Sequence, residues 1–403
     1  MAVEGTLRPM WAEIDLDALR ANAGSIAKRV APAALCAVVK ADAYGHGAVR
    51  AALAFLEGGA QGLAVAIVDE GVELRQAEIT APILLLSEPA ADAFEVCFAA
   101  GLTPTIATIE GVRYAANAAK VIGGSQPIHI KVDTGMHRVG VSVEDLGALI
   151  DEVIAHPQLV IEGMYTHFAV ADGESSEDVA YTDAQLMRFD QAVAIAADRG
   201  ITPPVLHAAN SAGAISRADA RFSMVRAGLV LYGEVPSTQT RKAAEALDGA
   251  LELKPALTIK ARVSAVRDID AGERPSYGRR RALLGKSRVA TVPMGYADGF
   301  PRRLFDAGAE VLISGRRYPL AGSVTMDQIM ADCGDHHVAV GDEVVLLGSQ
   351  GSEVISATEW AQRLETITWE VLCGIGPRVH RRYIGQASAA VAKRRKKWWL
   401  PQS

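Results

Sequence analysis

Cysteine is scarce in this 403-residue chain, and the four present (Cys36, Cys97, Cys333 and Cys373) form no C-x-x-C pair. That spacing argues against a disulfide framework and a cysteine zinc site, and it suits a reducing compartment. Charge of one sign is also lacking: the net charge is -6, so neither nucleic acid nor an anionic membrane is the expected main partner. No uninterrupted apolar run is long enough to span a bilayer. Glu4, Arg8, Glu13 and Asp15 crowd the first fifteen positions, unlike a secretory signal, and the expected location is the cytoplasm. What is present is ordinary globular material. Half of the residues are hydrophobic and 22% are charged, in a chain long enough for two domains.

Two patterns divide the chain. Up to about position 228, short apolar runs (35–40, 63–67, 83–86, 103–107, 128–133, 161–167, 205–207 and 224–228) alternate with stretches of helical period such as 143–155 and 178–199. Eight such runs, all but the last followed by a helical stretch, predict a (β/α)8 TIM-type barrel. An open doubly wound sheet would show a glycine-rich fingerprint after its first strand, which is missing. Residues 11–15 read as an additional strand outside the barrel count. After Lys254-Pro255 the period becomes two, with Leu257, Ile259, Ala261, Val263 and Val266 separated by polar residues. This predicts a mainly antiparallel β domain. Val340-Gly341-Asp342-Glu343 reads as a turn between two strand-like runs, and 357–372 as a single helical insert. The expected division is a barrel at 11–250, a β domain at 251–385 and a tail at 386–403. The polar linker at 236–253 leaves room for a short helix at 243–251. The tail ends in Lys393-Arg394-Arg395-Lys396-Lys397-Trp398-Trp399 and reads as mobile, with no assigned function.

Chemistry gathers at the carboxyl ends of the expected strands, where barrels of this kind place their active sites. Lys40 closes the apolar run Ala33-Ala34-Leu35-Cys36-Ala37-Val38-Val39. Partial desolvation there would lower its pKa and expose a neutral amine, the requirement for an imine-forming lysine, for which pyridoxal phosphate is the commonest partner. Position alone fits a solvated strand-end lysine better. The neighbouring ends alter that balance. They carry Tyr44; Lys131, Asp133, His137 and Arg138; Tyr165 and His167; His207, Asn210 and Ser211; and Arg226 with Gly228. Several cations at successive strand ends are hard to explain by packing, because buried charges need partners.

Val39-Lys40-Ala41-Asp42-Ala43-Tyr44-Gly45-His46-Gly47 resembles the cofactor-lysine signature of bacterial alanine racemases, the fold-type III pyridoxal phosphate enzymes. Further segments resemble that family in the same order: Thr134-Gly135-Met136-His137-Arg138-Val139-Gly140, Tyr165-Thr166-His167-Phe168-Ala169, His207-Ala208-Ala209-Asn210-Ser211-Ala212-Gly213, Val225-Arg226-Ala227-Gly228-Leu229, Ser276-Tyr277-Gly278-Arg279, Gly295-Tyr296-Ala297-Asp298-Gly299-Phe300-Pro301-Arg302 and Met326-Asp327-Gln328. The likeness covers roughly 11–383, and several motifs at compatible spacing are more specific than any one of them.

The resemblance implies roles. Lys40 would hold pyridoxal 5'-phosphate as an imine and act as the base on the D-face of the substrate. Tyr44, Ser211, Tyr383 and the amides of Gly228 and Leu229 match the phosphate-binding positions. Arg226 matches the residue facing the pyridine nitrogen; a guanidinium cannot protonate that nitrogen as a carboxylate partner would allow, which favours quick reprotonation over transamination. His167 would link Arg226 to the second base, and His207 is placed near the ring. Tyr277 would be that second base, brought by the partner subunit in a head-to-tail homodimer with composite sites. Arg138 and Met326 match substrate contacts, and Lys131 a position often carbamylated. Thr325 stands where the family often has cysteine, which puts thiol sensitivity in doubt and leaves the mechanism untouched. The implied activity is interconversion of L- and D-alanine, supplying D-alanine for peptidoglycan. A related racemase acting on serine or a broader set of amino acids remains open. A non-catalytic pyridoxal phosphate carrier fits less well because the β domain is complete, and a fold-type III decarboxylase because it would not need Tyr277. No metal is implied.

Overall fold

A computed structural model describes residues 7–246 and 251–386, which form two compact units. One comprises Asp17–Ala43 and Ala48–Lys254; the other takes the chain up to Leu16, the loop Tyr44–Gly47 and the chain from Pro255. The basic tail read at 393–399 lies outside the described residues.

The chain opens on strand β1 (Met10–Asp15) and the helix Leu16–Val30. Eight parallel strands then form the first unit: β2 (Ala34–Val38), β3 (Gly62–Val65), β4 (Ile83–Leu85), β5 (Thr105–Ile106), β6 (Gln126–Lys131), β7 (Leu159–Tyr165), β8 (Val205–His207) and β9 (Met224–Ala227). They pair in two runs, β4-β3-β2-β9 and β5-β6-β7-β8. Backbone bonds join the runs at both seams. Leu85 N–H donates to Thr103 O (2.9 Å) and Thr103 N–H to Ile83 O (2.9 Å), while Ser223 N–H donates to Leu206 O (3.1 Å) and Arg226 N–H to Ala209 O (3.0 Å). The result is the expected (β/α)8 barrel, each strand lying within two residues of its expected run. Every residue of β2 is buried, which accounts for its continuous rather than alternating apolar sequence. Asn22 pins the end of the linker to this unit, donating to Lys254 O (2.9 Å) and accepting from Lys254 N–H (2.9 Å).

The linker contains a helix, Thr238–Glu245, that starts earlier than the expected 243–251. Ser237 sets the start, because its hydroxyl caps Thr240 N–H.

The second unit is the expected mainly antiparallel β structure. Its strands are β10 (Leu257–Arg262), β11 (Ala265–Ile269), β12 (Ser287–Val292), β13 (Glu310–Ile313), β14 (Arg316–Pro319), β15 (Ile329–Asp332), β16 (Glu343–Gln350), β17 (Glu353–Ile355) and β18 (His380–Ile384). The larger sheet runs β14-β13-β16-β10-β1-β18 with β17 on β16, and the smaller runs β11-β12-β15. Strand β1 pairs antiparallel with β10 and parallel with β18, so the start of the chain contributes a central strand here. Two local expectations need correction. The insert at 357–372 is two helices, Ala357–Leu364 and Thr368–Cys373, because Glu365 turns left-handed (φ 55°) and Thr366 N–H closes on Ala361 O (2.9 Å). At 340–343 only the later flank is a strand. Asp342 O accepts from Val263 N–H, and Gly341 N–H donates to Val263 O, each at 2.9 Å, so a loop rather than a strand occupies that edge.

Candidate active site

Lys40 follows β2 and begins a turn of unusual hand. Ala41, Asp42, Ala43 and Tyr44 all have φ between 51° and 53°. Left-handed residues with a β-carbon cost about 1–2 kcal/mol each, so the four carry roughly 4–8 kcal/mol of backbone strain. Such strain persists only where the surroundings over-determine it, and it clusters at functional sites. Here the surroundings are carboxylates and carbonyls. Glu70 accepts from Ala41 N–H at 2.6 Å through one oxygen, and from Ala66 N–H (2.7 Å) and Ile67 N–H (3.3 Å) through the other. Asp42 accepts from Ala48 N–H (2.7 Å), where the helix Ala48–Glu57 begins. Within the β unit, Arg381 donates to Gly45 O at 3.1 Å.

Side chains inside a barrel are usually branched and apolar, but on these strands several are polar. His129 and Lys131 lie two apart on β6, Gly163 and Tyr165 two apart on β7, and His207 and Arg226 lie on β8 and β9. All are buried. The Tyr165 ring stacks on His207 with centroids 4.6 Å apart and planes within 9°, and its hydroxyl bonds Thr105 Oγ1 (2.8 Å) and donates to Leu86 O (3.1 Å). Arg226 donates from Nη1 to His207 Nδ1 (2.7 Å) and from Nη2 to Thr166 O (2.8 Å), Ala208 O (3.0 Å) and His167 Nδ1 (3.3 Å).

Lys40, Lys131, Arg138 and Arg226 share one electrostatic neighbourhood. Burial first, then Arg226, Arg138 and Lys40, push the Lys131 pKa down to about 8, with Asp133 opposing them. His167 is held well below its ordinary value by burial and then by the same four cations. Burial lowers Arg226 to about 10, which leaves it a cation at neutral pH. Asp133 is itself lowered: burial opposes the shift, but the His137 and Gly135 amides and the His137 side chain together prevail. The rim therefore holds more positive than negative charge, an arrangement that suits a ligand carrying phosphate and carboxylate groups. Ser211 starts a short helix capped by Asn210, and its hydroxyl accepts from Gly228 N–H at 2.9 Å; Leu229 opens the next turn.

In the β unit, one segment organises three candidate side chains. Ser276, before Tyr277, donates to Ser323 O (2.6 Å). Tyr296 N–H donates to Thr325 O (3.0 Å), and Ala297 N–H to Met326 O (3.0 Å). Residues 323–326 thus carry Met326 and anchor both Tyr277 and Tyr296. Tyr277 is 72% exposed, and Met326 and Tyr296 are also exposed. Thr325 closes the turn, donating to Gln328 O (2.8 Å). Also in this unit, Tyr383 lies against Gly47, where any β-carbon would overlap its hydroxyl, and Tyr44 is buried. Lys40 and Tyr277 belong to different units.

Sequence reasoning passed over two residues here: Glu70 and His129. The alternation Ile128-His129-Ile130-Lys131 could have flagged His129, since residues two apart share a strand face. Cysteine contributes no nucleophile on the strands, for burial pushes Cys36 up to about 12.

A strand-end lysine, a cationic rim and a buried arginine on a barrel, in a chain that continues into an antiparallel β unit, define a two-part architecture with its polar site on the barrel. Residues 14–236 match the family model "Alanine racemase, N-terminal domain", and 256–383 match "Alanine racemase, C-terminal domain". The chain belongs to the alanine racemase family, whose members are isomerases. It is 43% identical to the alanine racemase of Symbiobacterium thermophilum over 95% of this chain and 99% of that one, and 41% identical to that of Halothermothrix orenii over 93% and 97%. Its fold is similar to the crystal structure of Bacillus anthracis alanine racemase with bound L-Ala-P, at a TM-score of 0.88 and 36% identity over 95% of this chain and 96% of that one.

Proposed function

We propose that this protein interconverts L- and D-alanine with pyridoxal 5'-phosphate as cofactor, supplying D-alanine for peptidoglycan. The observation that carries the reading is Arg226. It is buried, remains a cation, and meets imidazoles and carbonyls rather than a carboxylate. When bound, the cofactor supplies an aldehyde for covalent attachment of amines and a ring that acidifies the α-hydrogen. The cation-rich rim, with Ser211 and the Gly228 and Leu229 backbone, fits its phosphate and phenolic oxygen.

In this reading Lys40 would hold the cofactor and would move the α-proton on the D-face. Tyr277 of the partner subunit moves the proton on the opposite face, which makes the enzyme a head-to-tail homodimer with composite sites. The exposure of Tyr277, Met326 and Tyr296 around the segment 323–326 supports a surface that another chain covers. Arg226 would be the residue placed toward the ring nitrogen, and a guanidinium there would not protonate it, which would favour α-reprotonation over transamination. His167, neutral and bonded to Arg226, orients it toward Tyr277. Tyr44, Ser211 and Tyr383 hold the phosphate with the amides at Gly228 and Leu229, and Arg138 and Met326 orient the substrate carboxylate. Lys131, neutral in part near pH 8, takes up carbon dioxide, and its new carboxylate steadies Arg138. The four free cysteines suit action in the cytoplasm.

The test is incubation with pyridoxal phosphate followed by chiral separation of alanine, with serine and a basic amino acid in parallel. Alanine is expected to interconvert fastest. Racemisation of serine or a basic amino acid with alanine left untouched would move the assignment to a different racemase.

A further inference from the structure

Behind Arg226 lies a buried polar chain that none of the roles above uses. His207 receives Arg226 Nη1 at its Nδ1, and its Nε2 lies 2.9 Å from His129 Nδ1. His129 Nε2 faces Glu162 Oε2 at 3.5 Å. All four side chains are buried: Arg226 is 3% exposed, Glu162 6% and both histidines 0%.

We propose that His129 and Glu162 are positioning residues for Arg226, holding its guanidinium through a chain of hydrogens that all point away from the cofactor site and end on a carboxylate. The proposal rests on Arg226 facing the ring nitrogen of pyridoxal phosphate.

The direction of the chain follows from chemistry. A guanidinium only donates, so His207 must accept at Nδ1 and, when neutral, carry its proton on Nε2. That proton can be given only to His129 Nδ1, which places the His129 proton on Nε2, facing Glu162. Reversing any link would set two protons, or none, between two nitrogens. Burial first and then Arg226 hold His207 well below its ordinary pKa, so it stays neutral. The last contact is too long for a strong hydrogen bond, but it lies within range of the carboxylate charge.

The barrel is shaped for this chain. His129 pairs with Gly163 on β7, and the register slips there, since Ile128 pairs with Ile161 and His129 with Gly163. Glu162 is thus the unpaired residue of a bulge. Strand alternation would otherwise set it opposite Gly163 and away from His129, and bulges re-aim side chains in this way beside active sites. A β-carbon on Gly163 would overlap the His129 ring, so glycine is needed there for His129 to lie flat against the strand. Tyr165 stacks on His207 and fixes the middle of the chain. Glu162 brings negative charge toward the back of Arg226, at the end remote from the cofactor.

The first measurement is nitrogen NMR on ¹⁵N-histidine-labelled protein, stripped of cofactor and reloaded with pyridoxal phosphate. His129 and His207 are both expected as neutral Nε2–H tautomers; an Nδ1–H tautomer or an imidazolium at either would overturn the proposal. The stripped sample needs no cofactor, so this result is separable from the assignment as a racemase, which fails if the loaded wild-type protein racemises nothing. The second measurement is kinetic. His129→Leu and Glu162→Leu are expected to lower kcat for alanine about tenfold or more with KM changed less than about threefold. His129→Asn keeps an acceptor and Glu162→Asp keeps the charge, and both should recover most of the loss. Losses in these conservative variants equal to those in the leucine variants would assign the residues to packing alone and overturn the proposal. If the leucine variants do not fold, the wild-type tautomers and the conservative variants still decide it.

Discussion

Glu70 is a carboxylate clamp on the strained turn after Lys40, and replacing it by alanine should loosen that turn first. One side chain satisfies three amides, at Ala41, Ala66 and Ile67, two of them at 2.6 and 2.7 Å. Hydrogen bonds to charged groups contribute about 1.5–3 kcal/mol each, and exposed amides recover part of the loss from water. Ala41 and Ile67 are exposed, so the net loss falls near the low end for the pair, about 2–3 kcal/mol. At 1.36 kcal/mol per factor of ten, amides near 41 should exchange hydrogen roughly 30- to 150-fold faster in Glu70→Ala. Peptide-resolved hydrogen exchange by mass spectrometry reads this directly. The far side of the barrel, around β6 and β7, should keep its wild-type rates. Exchange near 41 within about threefold of wild type would show that the left-handed turn is held by something else.

Three further outcomes follow from the same geometry. Lys131 has its folded-state pKa lowered to about 8 from 10.5, so the unfolded chain binds more protons between those values and stability should rise with pH there. Lys131→Met removes that penalty; with carbon dioxide excluded so that Lys131 is a free amine, the cofactor-free variant should melt higher than wild type below pH 8, with the gap closing toward pH 10.5, and a pH-independent gap would contradict the assignment. Asp298 is fully buried and accepts from Arg8 (2.8 and 2.9 Å) and Gly295 N–H (2.9 Å), with Arg378 at 3.2 Å. Asp298→Ala should destabilise the β unit by about 1.5–3 kcal/mol, chiefly because it leaves the buried Gly295 N–H without its charged acceptor while the cations regain water; denaturant titration checks this. Tyr277→Phe should slow α-hydrogen exchange from L-alanine far more than from D-alanine in deuterated water, and equal slowing would remove Tyr277 as a face-specific base.

The barrel strands were legible because strands buried on both faces read as short continuous apolar runs. The β unit was legible because its strands alternate. Strand β1 could be seen as a strand, but its partners could not, since β10 and β18 lie more than two hundred residues away and local pattern carries no pairing information. The break in the 357–372 insert was hidden because it depends on Glu365 adopting a left-handed conformation, which glycine would have announced. At the site, polar residues at strand ends stood out against an apolar background. His129 and Glu162 did not, because a histidine between two isoleucines reads as core, and only the register slip at Gly163 turns Glu162 toward it. The left-handed turn after Lys40 was equally invisible, since Ala41-Asp42-Ala43 carries no conformational signature of its own.

The central claim is a composite site in which Lys40 of one subunit works with Tyr277 of the partner subunit. It is tested most directly by subunit mixing. Lys40→Ala and Tyr277→Phe are each made, shown to be inactive in racemising alanine, then unfolded together and refolded with pyridoxal phosphate. Random pairing makes half of the dimers mixed, each with one intact site of two, so activity should recover to about a quarter of wild type. A mixture as inactive as its two parents would show that both bases come from the same chain, and would contradict the account.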